Sequence, residues 1–174
     1  MAATHEHIAT ATASSSPLFL EVTSIPATYK DLEVIIQSKT GDTSYGASAG
    51  KVTVNGATTG YSFTTIRKNG TNMYAGIWTS QSNFDMNYAH GPGNQSEMSG
   101  YVRLYIPDYA SSLWEHPVNW WSTSWDTTTA GEVAYTAGMY SSATDPETIS
   151  SIKWTTVYTI EDDCTMSVYG INYA

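Results

Sequence analysis

Apolar and polar residues alternate along most of the chain with a period of two, the spacing that sends successive side chains to opposite faces of a strand. Leu18, Leu20 and Val22 fall on one side, with Phe19, Glu21 and Thr23 on the other. Leu32, Val34 and Ile36 alternate with Asp31, Glu33 and Ile35. Val52 and Val54 form a short strand closed by Asn55-Gly56, a dipeptide that tolerates positive φ. Tyr61, Phe63 and Thr65 mark the next strand, and Asn69-Gly70 predicts a hairpin returning through residues 73–79. Further strands are predicted over 101–106, 118–125, 133–140, 149–159 and 165–173. No window carries an amphipathic helical stripe. The best helical candidate, 80–88, is short and poor in helix formers. About ten strands, spaced about 8–15 residues apart, predict an all-β antiparallel sandwich of jelly-roll type. Residues 1–16 read as an extended N-terminal arm and 17–174 as a single domain.

Composition narrows the chemistry. Of 174 residues only 13% are charged, about half the usual share. Ser and Thr make up about a quarter of the chain in their place, so the surface is hydroxyl-rich. The net charge of −9 leaves no footprint for neutralising phosphates, which argues against direct nucleic-acid binding. The apolar runs are too short to span a membrane, and no basic, then apolar, leader is readable at the start. The single cysteine, Cys164, excludes an intramolecular disulfide; it reads as a small apolar residue leading into a strand, beside carboxylates that keep its thiol inactive.

Catalytic signatures are missing from the pattern. No Gly-x-Ser-x-Gly elbow occurs, and no acidic pair stands in a distinctive context for glycoside cleavage. Asp162 and Asp163 are adjacent, so they read as turn residues before the last strand. His5 and His7 share a strand face, but two imidazoles do not make a zinc site. They and Ile8 are read as contacts of an arm that another chain orders, with no metal and no cofactor expected. The tryptophans say most: Trp114, Trp120, Trp121 and Trp125 fall within a dozen residues, followed by Asp126. On a strand Trp121 and Trp125 share one face and Trp120 takes the other. Indoles beside a carboxylate can hold sugars, but they also fill cores and anchor subunit contacts, and the second role is given precedence.

The order of motifs resembles a group of small tailed-bacteriophage virion proteins. The resemblance rests on Met1-Ala2-Ala3-Thr4, Ile8-Ala9-Thr10-x-Thr12, Ser24-Ile25-Pro26-x-Thr28-Tyr29-x-Asp31-Leu32, the central Asp108-Tyr109-Ala110 and the closing Tyr169-Gly170-Ile171. It touches both ends and the middle, and nothing is matched between Gly41 and Met98 or from Trp114 to Asp126. It implies a non-enzymatic protein of the virion surface. The expected role is head decoration, or cement, as a homotrimer against the major capsid protein. The alternative is a tail-fibre, adhesin or carbohydrate-binding module that meets tail proteins or a host glycan. In the matched residues, Pro26 is expected to lead a tight turn, and Asp108 to bond backbone amides in a turn that places Tyr109.

Overall fold

The computed structural model describes residues 3–39, 50–69, 71–86, 100–126, 130–142 and 146–173, with backbone alone for 3, 69, 124–126 and 130–132. Among them lie twelve strands and no helix. In chain order these are β1 (Ala3–Thr12), β2 (Phe19–Val22), β3 (Asp31–Ser38), β4 (Lys51–Val54), β5 (Tyr61–Asn69) and β6 (Asn72–Gln81). They continue with β7 (Phe84–Asp85), β8 (Gly100–Ile106), β9 (His116–Asp126), β10 (Ala130–Tyr140), β11 (Ile152–Thr155) and β12 (Thr165–Tyr173). An eight-stranded sheet runs β1-β12-β3-β8-β9-β10-β5-β6, and a four-stranded sheet runs β2-β11-β4-β7. The pairings are antiparallel, and the two sheets pack face to face as a β-sandwich.

The alternation read from the sequence builds the core between them. Leu32, Val34 and Ile36 of β3, Val102, Leu104 and Ile106 of β8, and Met166 and Val168 of β12 are buried on the inner face of the large sheet. Leu20, Val22, Val52, Val54, Ile152 and Trp154 oppose them from the small one. Towards β5 the core turns aromatic, with Phe63 and Phe84 against Trp120 at 5.6 and 5.2 Å between ring centres. Tyr61 sits edge-on to Phe84, and its hydroxyl accepts the Val54 amide at 2.9 Å. Burial pushes the Tyr61 phenol up to about 12, so it stays protonated in that role.

Two expectations need revision. The N-terminal segment is extended but is no free arm, since Ala3 to Thr12 pair along the length of β12 as an edge strand. Small Ala and Thr side chains bury little, but a full ladder of backbone hydrogen bonds orders them. A bulge between His7 and Ala9 adds one residue on β1, so Ile8 packs against this chain's own core. Over 80–88, the described residues finish β6 and form β7. Ser80, with φ of 55°, sits where the β5–β6 register shifts between Tyr61 and Phe63. Finally, among the described residues no backbone amide donates to the Asp108 carboxylate; its own amide donates to Asp31 at 2.9 Å.

Candidate functional site

Strand register lines up side chains on the outer face of the large sheet in rows. One row runs His7, Tyr169, Glu33, Tyr105, Asn119, Ala137, Thr64 and Ile77. The next runs Thr10, Ser167, Ile35, Arg103, Trp121, Tyr135, Ile66 and Ala75. Where β3, β8, β9 and β10 cross these rows, the surface hollows to about 230 Å³, lined by Glu33, Arg103, Tyr105, Asn119, Trp121 and Tyr135.

Two buried carboxylates of β3 face away from the apolar core: Glu33 lines the hollow, and Asp31 stands behind it, bonded to the Tyr105 hydroxyl. The Asp31 carboxylate accepts from the Tyr105 hydroxyl, from Tyr173 at 2.7 Å and from the Asp108 amide. Burial alone would raise its pKa, but those hydrogen bonds and the Lys30 charge together outweigh it and hold the carboxyl below its ordinary value. Burial, together with the hydrogen bond to Asp31, drives the Tyr105 phenol far above its ordinary range and keeps it a donor. Glu33 is held by the Arg103 Nε–H, with His5 Nδ1 3.9 Å away. The Trp121 ring leans on Tyr101 at 5.0 Å, and Tyr135 stands 67% exposed. Within this arrangement the carboxylates act as fixed acceptors, while the aromatic faces and the amide of Asn119 remain presented to solvent.

Three stretches meet beside this hollow: residues 24–32, the turn of Asp108 and Tyr109, and β12 at Gly170. The Tyr29 ring lies over Gly170, and a Cβ there would come within 2.2 Å of it. The Tyr109 hydroxyl donates to the Pro26 carbonyl, and the Tyr29 amide donates to that same hydroxyl at 3.4 Å. Asp31 ties the turn around Asp108 to the strand below. Pro26, Tyr29, Asp31, Asp108, Tyr109 and Gly170 are thus one packing unit.

The tryptophans separate by face, as the strand period requires. Trp120 is 2% exposed and lies in the aromatic core, whereas Trp121 is half-buried on the outer face. Trp114 is 68% exposed on the β8–β9 connection. Trp125 and Asp126 close β9, and their side chains lie outside the described residues. His5 and His7 share the outer face of β1; His7 Nε2 meets the Thr10 hydroxyl at 2.8 Å, and its ring packs edge-on against Tyr169. Among the described residues no group of three His, Cys, Asp or Glu gathers as metal ligands. Cys164 is buried just before β12; burial first, then nearby Glu161 and Asp163, push its thiol pKa up.

Sequence reading passed over Asp31 with Glu33, Arg103 with Tyr105, and Tyr135. Each pair is an i, i+2 polar step opposite apolar neighbours, which is a visible signal. That these steps fall in register is visible only once the strands are paired.

Beyond the hollow the outer face turns apolar. Ile66 of β5, Met73 and Ile77 of β6 and Val133 of β10 are all exposed, Ile77 to 77%. β6 is the edge of the sheet, and its ten residues carry no charge. Among the described residues no helix is long and apolar enough to cross a membrane. No family model matches the chain. A search of curated proteins finds no match either.

Proposed function

We propose that this chain is a non-enzymatic structural protein of the tailed-phage virion surface. In this reading it is a head decoration protein of jelly-roll type that stands as a homotrimer against the major capsid protein. The observation that carries the reading is the open edge at β6. Edge strands in free-standing sheets are blunted by charges, proline or bulging, because unpaired backbone groups invite another chain. Here Met73 and Ile77 are left exposed beside Ile66 on an uncharged edge whose register with β5 is unbroken from Asn72 to Trp78, a surface suited to burial by a second copy. The resemblance of its motifs to virion proteins supplies the particle. With a net charge of −9, attachment rests on apolar and hydrogen-bonded contact, so moderate salt does not strip the protein off.

Quantitative gels of purified virions test the placement. Copies on the order of hundreds per particle, matching capsomer symmetry, are expected. Particles lacking the protein should assemble and then release DNA at a lower temperature. A copy number of a few tens, with particle stability unchanged and infectivity lost, would refute head decoration in favour of the tail-fibre or adhesin alternative.

A further inference from the structure

We propose that the outer-face hollow between β8, β9 and β10 is a binding site for a neutral saccharide. This inference goes beyond the structural role and does not depend on where in a particle the chain sits. Its basis is a set of polar groups left over after the local network is complete. Arg103 uses Nε on Glu33, and its remaining guanidinium N–H groups have no partner among the described residues. The Asn119 amide, the Trp121 indole N–H and the Tyr135 hydroxyl likewise have none there, and all border the same hollow. Aromatic rings supply the other half of sugar recognition: Trp121, steadied by Tyr101, and Tyr135, standing clear of the sheet, offer apolar faces for the C–H side of a pyranose.

Size and charge define the class. At about 230 Å³ the hollow falls below the roughly 300–1,000 Å³ of sites for drug-sized ligands, which suits a single ring or the end of a chain. Of the residues lining the hollow only Glu33 and Arg103 carry charge, and they pair with each other, so the site offers no net charge to an ionic ligand and suits a neutral one. The rigid support that a binding site needs is already built: Glu33 fixes Arg103, while Tyr105 and Tyr173 are locked on Asp31. Repetition of the site in an oligomer raises its avidity for polysaccharide without any new contact.

Saturation-transfer NMR and tryptophan fluorescence on the full chain test this, with the methyl glycosides of glucose, galactose, mannose and N-acetylglucosamine as probes. At least one neutral glycoside is expected to bind. Asn119→Ala and Tyr135→Ser should each weaken it tenfold or more, with melting temperature and oligomeric state unchanged. Arg103→Lys should weaken it too, because lysine lacks the planar fork. Absence of signal from every glycoside, or wild-type binding by both the Asn119 and Tyr135 variants, overturns the proposal. So does tighter binding of a methyl sialoside, which would reverse the charge assignment. If Tyr135→Ser dissociates the oligomer while no glycoside binds, the hollow belongs to the subunit contact and the proposal fails, whereas the structural role stands.

Discussion

Adjacent tryptophans offer a sharp check on the face assignment, because two substitutions one residue apart should differ in kind. Trp120 is almost fully buried between Phe63 and Phe84, so Trp120→Ala empties an indole's volume in a region with rigid aromatic walls. Such truncations cost about 3–5 kcal/mol, towards the upper end where neighbours cannot collapse into the space. For a chain of this size each kcal/mol moves the melting temperature by roughly 2–4 °C, so a fall of about 6–20 °C is expected. Trp121→Ala removes a half-buried ring and its contact with Tyr101, a loss of about 1–2 kcal/mol and roughly 2–8 °C. Both unfolding curves should be followed by far-ultraviolet circular dichroism in urea, because tryptophan emission is itself altered by the substitutions. Protein concentration must be matched, since an oligomer's apparent stability depends on it. An equal or larger loss for Trp121→Ala would refute the face assignment and the register of β9 with it.

Three further expectations concern other parts of the molecule. Gly170→Ala forces the Tyr29 ring off β12 and should cost about 1–3 kcal/mol in a thermal melt; adding Tyr29→Ala should make the glycine change nearly silent, and independent losses would count against the contact. Asp31 has its carboxyl pKa lowered in the fold, so its stabilising contribution is present above the unfolded value of about 3.9 and is lost as pH falls through the folded one. Asp31→Asn should therefore lower stability by about 1.5–3 kcal/mol at neutral pH and much less near pH 2, with urea midpoints across that range as the measure. Ile77→Lys places a charge on the exposed edge of β6, and in the proposed homotrimer it should dissociate the assembly in light scattering while the far-ultraviolet circular dichroism of the separated chains keeps its β-type form; an intact oligomer would move the subunit contact elsewhere.

The all-β class and most strand positions follow from local pattern alone. Period-two alternation at Leu32, Val34 and Ile36 leaves one stable option, an apolar face turned inward, and the antiparallel pairing of β5 with β6 is equally local. The opposite faces of Trp120 and Trp121 also come from a strand's geometry and need no partner to be known. Glu33, Arg103, Trp121 and Tyr135 are another matter. They come from four strands, of which β3 lies far before the consecutive β8, β9 and β10, and only the pairing of β3 with β8, β8 with β9 and β9 with β10 sets them around one hollow. The N-terminal segment fails as a free arm for the same reason: its side chains bury little, and the backbone ladder that orders it belongs to β12, at the other end of the sequence. Alternation is a property of one strand, whereas register is a property of two, so a single strand's pattern can say which way a residue points but not what it meets.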